Sequence, residues 1–269
     1  MRTLLHLSDL HFGRVNESLV EPLVVAAQRL APDLVVVSGD FTQRARRVEF
    51  RAARQFLARM PKPQLVVPGN HDIPLWDVVR RFASPLGRYR HYISAELMPF
   101  HQDEEIAVLG INTARSLTRK YGRINQRQVD EAAKILSKVG PKAVKVVVTH
   151  HPFDLPPGSH TRLVGRAVMA MKALASAGVD LLLAGHLHLH HTGLTAQRYR
   201  IEGYSALIAQ AGTTISTRGR GEANSFNIIR IEHPEITIAH HVWSPERADF
   251  VEDGTDRFVR GPKLWTRVC

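Results

Sequence analysis

Five short apolar runs in this chain each end in acidic, amide or imidazole side chains. The runs cover residues 3–7, 34–37, 65–67, 146–148 and 181–184. The segments at their ends read SDLH, SGD, GNHD, THHP and GHLH. Short runs of branched aliphatic residues are typical of strands that are buried on both faces of a sheet. The chain therefore has to place five clusters of polar, metal-seeking groups at the ends of buried strands.

Amphipathic helical patterns separate these runs. Apolar residues recur at helical spacing over residues 17–30, 48–60, 126–139 and 162–177. Strands that alternate with helices predict an α/β domain with layered sheets. Residues 206–211, 225–231 and 235–242 read as further strands that complete a second sheet. Ligands of such sheets bind beyond the carboxyl ends of the strands, which is where all five polar segments fall.

The length of 269 residues predicts a single domain over residues 1–269, with residues 244–269 as an irregular extension. A hydrophobic share of 44% is enough for a sizeable core. No run approaches the roughly 18 apolar residues of a membrane helix, and a first strand from residue 3 leaves no room for a signal peptide. We expect a cytoplasmic protein. The oligomeric state is open.

Cysteine usage and charge narrow the classes of site and partner. Cys269 is the only cysteine, so an internal disulfide and a thiolate metal site are both excluded, and we expect this terminal thiol to be inert. The formal net charge of +11 would suit a nucleic-acid partner. Apart from residues 44–47, however, the basic residues are dispersed, and no aromatic residues clearly interleave with them as a stacking platform. Nucleic acid is therefore a possible partner but not the favoured one.

The polar segments carry the side chains that a pair of metal ions needs. In extended backbone, residues i and i+2 point the same way, so Asp9 and His11 could hold one ion together. The same holds for His186 and His188 if their loop is extended. The other candidate ligands are Asp40, Asn70 and His150. Nitrogen and oxygen ligands without thiolate suit manganese, iron, zinc or cobalt rather than a magnesium or calcium cage.

These segments, in this order, resemble the motifs of the calcineurin-like metallophosphoesterases, namely D-x-H, G-D, G-N-H-D, a histidine after a strand, and G-H-x-H. The chain is closest in appearance to bacterial members that act on cyclic nucleotides. The resemblance implies a four-layer αββα sandwich in which helices flank two mixed β-sheets, and a dinuclear metal centre. It also implies that His71 faces the substrate phosphate or the leaving oxygen. The implied ligands are Asp9, His11, Asp40 and His188 for the first ion, and Asp40, Asn70, His150 and His186 for the second.

The function implied by the resemblance is hydrolysis of a small nucleotide-type phosphodiester by a hydroxide that bridges two ions of manganese, iron or zinc. Three alternatives stay open: a DNA or RNA nuclease, a pyrophosphohydrolase of nucleotide-linked lipid, and a non-catalytic scaffold. The seven intact ligand positions argue against the scaffold. His71 argues against the lipid pyrophosphohydrolases, whose third motif has arginine at this place. Monoester or diester preference and the native metals are open.

Residues outside the five motifs are candidates for contacts to the substrate. Arg115 lies just past a strand end and is the preferred substrate-binding residue. Residues 88–92 and 112–121 combine aromatic rings with cations, which suits a second phosphate or a base, although ordinary solvated loops have the same composition. Residues 212–220 are rich in hydrogen-bond donors and read most simply as a turn. Asp72 and His151 are expected behind the ligands, where they would orient them.

Overall fold

The computed structural model describes residues 1–159, 161–219, 221–261 and 264–268. Cys269, which we expected to be inert, lies outside the described residues. The helices and strands alternate along the first two thirds of the chain, and strands dominate the rest. The elements, in chain order, are β1 (Arg2–Leu7), α1 (Val20–Leu30), β2 (Leu34–Val37), α2 (Arg47–Arg59), β3 (Gln64–Val66), α3 (Val78–Ala83), α4 (Gly87–Tyr92), β4 (Phe100–Gln102), β5 (Ile106–Gly110), α5 (Gln126–Leu136), β6 (Val144–Val148), α6 (Ala167–Ser176), β7 (Leu181–Ala184), β8 (His191–Leu194), β9 (Leu207–Gln210), β10 (Ser225–Glu232), β11 (Glu235–Ser244), β12 (Asp249–Arg260) and β13 (Trp265–Val268).

The strands form two mixed sheets. One has seven strands in the order β13-β12-β11-β10-β1-β2-β3, and the other has six in the order β4-β5-β6-β7-β9-β8. The three strands β1, β2 and β3 run parallel, as do β5, β6, β7 and β9. Their carboxyl ends therefore gather at one edge of each sheet, and the five polar segments of the sequence lie there.

The cores show why the strands are apolar on both faces. Leu4 belongs to a cluster between the two sheets, whereas Leu5 and Leu7 pack toward α1 and α2 on the outer face. A third cluster joins α5 and α6 to the outer face of the six-stranded sheet. Helices thus flank both sheets, and the α/β four-layer fold expected from the sequence is confirmed.

The C-terminal part of the chain differs from expectation. Residues 244–269 were predicted as an irregular extension, but β12 and β13 lie within them. Trp265 is buried and donates a hydrogen bond from Nε1 to Asp180 Oδ1 (3.0 Å), which anchors the last strand. The sequence concealed these strands because many of their residues are charged or exposed, so they lack a continuous apolar run. That residues 1–269 form a single domain stays a prediction.

Two further expectations need correction. The strands after His188 do not all complete the second sheet, because β10 pairs antiparallel with β1 and carries β11 to β13 into the seven-stranded sheet. The helix expected over residues 162–177 begins only at Ala167. Before it, Gly165 pairs with Arg123 in an isolated bridge, and Arg166 adopts a left-handed conformation (φ 68°) that turns the chain into the helix.

Candidate metal centre

The structure brings the seven candidate ligands to one place between the carboxyl ends of the two sheets. Three groups of potential ligand atoms lie close together there: Asp9 with His11 and His188, Asp9 with Asp40 and His150, and His11 with Asp40 and His71. His186 forms a fourth group with His150 and His151. Side chains from positions 9 to 188 therefore converge as the motif spacing predicted.

The backbone of these segments is not extended, and the sequence argument from extended geometry was wrong in this respect. Asp9 (φ 53°), His11 (φ 48°) and Asp40 (φ 53°) all adopt the left-handed conformation. So do His186 (φ 74°) and His188 (φ 60°), which fall into different groups. Residues other than glycine rarely adopt this conformation. Each instance costs about 1–3 kcal/mol and persists only where the surrounding structure imposes it. Such strain concentrates at functional sites.

Glycines allow the loops to approach each other closely. Gly39, which precedes Asp40, has φ +98°, and a β-carbon built there would lie 2.6 Å from His150 Nδ1. A β-carbon at Gly69 would overlap Asp40, and one at Gly185 would overlap Ser8. Side chains at these positions would push the ligand loops apart.

Each of the two carboxylates has one oxygen that is held by the protein and another that faces the centre. Asp9 Oδ2 accepts hydrogen bonds from Ser8 Oγ (2.7 Å) and from the backbone N–H of His186 (2.9 Å). Asp40 Oδ1 accepts one from the backbone N–H of His71 (2.8 Å). The free Asp40 Oδ2 lies 3.3 Å from His150 Nε2 and 3.7 Å from His11 Nε2. One oxygen of Asp40 is thus shared between the two sets of ligands.

Three of the imidazoles are arranged like the carboxylates, with one ring nitrogen held by the protein and the other facing the centre. The second ring nitrogens of three histidines contact protein oxygens: His150 Nδ1 and Ser38 O (2.7 Å), His188 Nδ1 and Thr213 Oγ1 (2.6 Å), and His11 Nδ1 and Thr42 O (3.4 Å). Because a carbonyl can only accept, Nδ1 of His150 and Nδ1 of His11 are donors, and Nε2 of each ring faces the centre. Outer partners orient the histidines of metal sites in the same way.

Buried polar atoms without hydrogen-bond partners show whether the ligand cluster suits metal ions. Five of the seven candidate ligands have a buried polar atom without a hydrogen-bond partner among the described residues, namely Asp9 Oδ1, His11 Nε2, Asn70 Oδ1, His150 Nε2 and His186 Nε2. Leaving a buried polar atom unpaired costs about 1–3 kcal/mol, so a cluster of five calls for a partner. Two ligands that share an ion at about 2.1 Å lie roughly 3.0–3.4 Å apart. The separation of 3.4 Å between His188 Nε2 and Asp9 Oδ1 is close to this.

Electrostatics keep the site in the protonation states that ligands require. Burial would raise the pKa of Asp9, but His188 and His11 hold the pKa of this carboxyl below its usual range. Burial would also raise the pKa of Asp40, but the neighbouring His150 holds the pKa of this carboxyl well below its usual range. Burial lowers the pKa of His186 to about 3 and that of His188 to about 4. The carboxylates are therefore anionic and these two imidazoles neutral near pH 7.

His150 is the exception. Burial would lower the pKa of its ring, but Asp40 raises that pKa to about 9. Protonated His150 compensates the negative charge of Asp40, and a metal ion at this position would do the same. The proton and the metal ion therefore compete. Metal binding at this position is consequently expected to release a proton.

Asp72 and His151 lie behind the candidate ligands, as expected. Asp72 accepts hydrogen bonds from the backbone of Gly69 (2.9 Å) and Thr42 (3.0 Å), which ties the GNHD loop to the Asp40 loop. Burial and the nearby Asp40 raise the pKa of Asp72 to about 7. Both ring nitrogens of His151 have partners, Thr113 Oγ1 (2.7 Å) and the carbonyl of Lys120 (3.1 Å).

The open side of the centre is a cavity of about 250 Å³. Asp40, Asn70, His71, His186 and His188 line it together with five cationic side chains, Arg44, Arg81, Arg119, Lys120 and Arg218. Among the described lining residues, Asp40 is the only acid. This surrounding favours an anionic group next to the ligand cluster.

His71 and Arg218 both line this cavity and are hydrogen-bonded to each other. His71 Nδ1 donates to the carbonyl of Gln43 (2.9 Å), and Arg218 Nη1 donates to His71 Nε2 (2.9 Å). Burial lowers the pKa of His71, with Asp40 acting against this effect. Arg218 was not among the residues predicted from the sequence. Its segment, residues 212–220, was read as a turn, and only the concentration of donors there could have indicated it.

Arg115 does not line this cavity. Its guanidinium donates to the carbonyls of Asn112 (3.1 Å) and Ala114 (2.8 Å) and to Gln128 Oε1, which hold it at the start of α5. It lines a different cavity, together with Pro85 and Leu86. The prediction that Arg115 contacts the substrate has no support in this position, because its hydrogen bonds direct it toward the helix.

Comparison with known proteins now adds to the geometry. Over residues 2–190, more than half of the chain, the sequence matches the profile described as calcineurin-like phosphoesterase. The chain belongs to this family. The enzyme class expected from the motifs, a metal-dependent phosphoric ester hydrolase, is the class of the calcineurin-like phosphoesterases. No described helix has the length and apolar character to cross a bilayer.

Individual relatives match parts of the chain. A glycerophosphodiester phosphodiesterase, GpdQ of Enterobacter lignolyticus (strain SCF1), is 40% identical over 80 residues, which cover 26% of this chain and 29% of that protein. The match therefore spans less than a third of the relative. Purple acid phosphatase PPD1 of yellow lupin has a TM-score of 0.66 at 12% identity, with 94% of this chain and 53% of that chain covered. Chaetomium thermophilum Vps29 has a TM-score of 0.50 at 10% identity over 97% of this chain and 98% of its own. At these identities the two structures show the fold alone.

The role of Thr213 behind His188 gives a first prediction. Replacing Thr213 by Val keeps the shape but removes the oxygen that contacts His188 Nδ1 at 2.6 Å. Loss of such an outer partner typically weakens metal binding about 10–100-fold. We expect a manganese titration of the metal-free protein, followed by calorimetry, to show a loss of this size. Thr195→Val is the matched control, because Thr195 is also buried but its hydroxyl accepts from Ala206 N. Equal manganese affinity in the Thr213 variant and the wild type would contradict the role.

Proposed function

We propose that this protein is a dinuclear metal-dependent phosphodiesterase that hydrolyses a small nucleotide-type phosphodiester. The observation that carries the proposal is the cluster of buried, unpaired ligand atoms at the base of a cationic cavity. A phosphodiester is anionic, so the five cations of the rim would attract it. The converging ligands would hold two metal ions at the base of the same cavity, next to the bound diester.

The proposed ligands of the first ion are Asp9, His11, Asp40 and His188, and those of the second are Asp40, Asn70, His150 and His186. When bound, manganese, iron or zinc ions at such a site supply a hydroxide nucleophile at neutral pH and stabilise the charge on the phosphoryl oxygens. Asp40, whose Oδ2 is close to both His150 and His11, would serve as a ligand of both ions. Asn70 and His186 would each complete a coordination sphere with an atom that otherwise has no partner.

Arg218 and His71 would act on the substrate itself. An anionic phosphate is a better acceptor for the Arg218 guanidinium than a neutral imidazole, because it carries the opposite charge and can accept two parallel N–H bonds from arginine. Arg218 would then turn from His71 Nε2 to a phosphoryl oxygen. The freed Nε2 would take up a proton from solvent and pass it to the leaving oxygen, which returns the ring to its neutral form. The similarity to a glycerophosphodiester phosphodiesterase supports a diester rather than a monoester as substrate.

The proposal is tested by hydrolysis of bis(p-nitrophenyl) phosphate. We expect no turnover after treatment with EDTA, recovery when manganese is added back, and slower hydrolysis of the monoester p-nitrophenyl phosphate. A panel of cyclic nucleotides and dinucleotides would then rank the natural candidates. Two bound manganese ions without turnover of any diester would contradict the proposal and favour a scaffold.

A further inference from the structure

A second cavity adjoins the proposed catalytic one. It has a volume of about 600 Å³ and is lined by residues of two segments, 118–123 and 162–166. Arg119 and Lys120 line both cavities, so the two lie on either side of these side chains. The catalytic cavity, at about 250 Å³, lies below the roughly 300–1,000 Å³ of sites that enclose a whole small ligand. Much of a nucleotide-type substrate would therefore extend beyond it.

The second cavity combines one aromatic ring with five cations. The cations are Arg119, Lys120, Arg123, Arg162 and Arg166, all of them exposed. None of the five forms an ion pair with another described residue, and no acid is among the described lining residues. Cations without acidic partners are free to neutralise phosphates of a ligand.

Tyr121 is the aromatic residue. It is half-buried, with Lys120 Nζ at 5.2 Å and Arg162 Cζ at 5.6 Å from the centre of its ring. Both cations belong to exposed side chains, and a base that stacks on Tyr121 would displace one of them from the face of the ring. Aromatic faces next to cations bind nucleobases by stacking while the cations hold the neighbouring phosphates.

The Tyr121 loop is held rigidly against the metal-site histidines. His151 Nε2 donates to the carbonyl of Lys120 (3.1 Å), and a β-carbon at Gly122 would overlap the His151 ring. The backbone N–H of Arg123 donates to the carbonyl of Thr113 (2.8 Å), and Gly165 N–H donates to the carbonyl of Gly122 (2.8 Å). The position of the Tyr121 loop is therefore fixed relative to His151 and to its neighbour in the chain, His150.

We propose that the Tyr121 cavity is a binding site for a second nucleotide, with the base stacked on Tyr121 and its phosphates contacted by the surrounding cations. The inference rests on the proposed phosphodiesterase function, which it deepens by naming the substrate class. The substrate is a phosphodiester with at least one nucleotide beyond the scissile bond, as in a dinucleotide or the end of a single strand. A cyclic mononucleotide would leave this cavity empty.

The test is binding of a fluorescein-labelled thymidine hexanucleotide, followed by fluorescence anisotropy in EDTA so that no hydrolysis occurs. We expect Tyr121→Leu to weaken binding about tenfold, which lies within the usual range for loss of one base–aromatic stack, and Tyr121→Phe to retain the affinity. Arg162→Gln should reduce the slope of log affinity against log salt by about 0.7, the value for one phosphate contact on a single strand. Arg54→Gln is the matched charge control, since Arg54 is exposed on α2 outside both cavities.

Competitors identify the ligand. Displacement of the hexanucleotide by a thymidine dinucleotide supports a site for one extra nucleotide, and much tighter binding of the hexanucleotide supports the end of a strand as its source. Displacement by tripolyphosphate at the same concentration as the dinucleotide would overturn the proposal, because a base would then contribute nothing. So would equal affinity of the wild type and Tyr121→Leu.

The two proposals can fail separately. If the wild type does not hydrolyse bis(p-nitrophenyl) phosphate with manganese, the phosphodiesterase function is wrong, whereas the anisotropy measurement still decides the nucleotide site. If hydrolysis proceeds normally in Tyr121→Leu while hexanucleotide binding is unchanged, only the nucleotide site is wrong. Thermal unfolding of both Tyr121 variants shows whether either change disturbs the fold.

Discussion

Asp40→Ala is expected to abolish the binding of two ions and to lower phosphodiester turnover by at least about 10⁴-fold. Asp40 Oδ2 lies near His150 and His11, which belong to the two different ligand sets, so its removal affects both ions at once. Two-metal catalysis stabilises the transition state by several kcal/mol, and each 1.36 kcal/mol corresponds to a factor of ten in rate. The measurements are manganese stoichiometry by elemental analysis and turnover of bis(p-nitrophenyl) phosphate.

The matched control is Asp130→Ala, since Asp130 is exposed on α5 and its carboxylate accepts a hydrogen bond from Gln126. This variant should bind two ions and keep normal turnover. Two ions bound with full affinity in Asp40→Ala would show that Asp40 is not a bridging ligand. Near-normal turnover with one ion would show that the chemistry does not need a pair.

Much of the fold was accessible from the sequence because β1, β2, β6 and β7 are short and buried on both faces. The strands β2, β6 and β7 consist almost entirely of aliphatic residues, and β1 has three leucines in its buried part. This distinguishes these strands from the amphipathic helices between them. The strands β12 and β13 gave no such signal. They lie toward one edge of the seven-stranded sheet, where charged side chains such as Arg257 and Glu235 pair across strands in solvent.

The convergence of the ligands could be predicted, but the way in which the backbone achieves it could not. Motif order placed Asp9 and His188 together, as the structure does. The left-handed conformation of Asp9 and His188 leaves no pattern in the sequence, because it is imposed by the surrounding fold against local preference. Alternation arguments assume extended backbone and therefore fail at such strained positions.

The cationic lining of the cavity beside the ligand cluster was the least predictable feature. Arg115 and Arg218 are both arginines in loops, and position after a strand favoured the first. The deciding factor is competition for hydrogen bonds: Gln128 and nearby carbonyls hold Arg115 at α5, whereas Arg218 reaches His71. These partners are 13 and 147 residues away along the chain, respectively, and only the tertiary structure shows which of them prevails.

His71→Ala is expected to retain both ions and to slow hydrolysis of diesters with an alkoxide leaving group by about 10²–10⁴-fold, the usual contribution of general acid catalysis. Both ring nitrogens of His71 have partners in the protein, unlike the unpaired nitrogens of His11, His150 and His186. Its backbone N–H, which donates to Asp40 Oδ1, is kept in the alanine variant. The measurement compares a dinucleotide, whose leaving group needs a proton, with bis(p-nitrophenyl) phosphate, whose phenolate leaves without one.

The comparison separates an acid from a residue that only orients Arg218. If His71 donates the proton, the kcat for the dinucleotide falls steeply, while that for the p-nitrophenyl ester changes little. If His71 only holds Arg218, the KM for both substrates rises together, and Arg218→Ala reproduces the effect. His233→Ala serves as the control histidine, because His233 is exposed in the turn between β10 and β11. Loss of both ions in His71→Ala would instead make His71 a ligand, which its position beside His11 and Asp40 would permit.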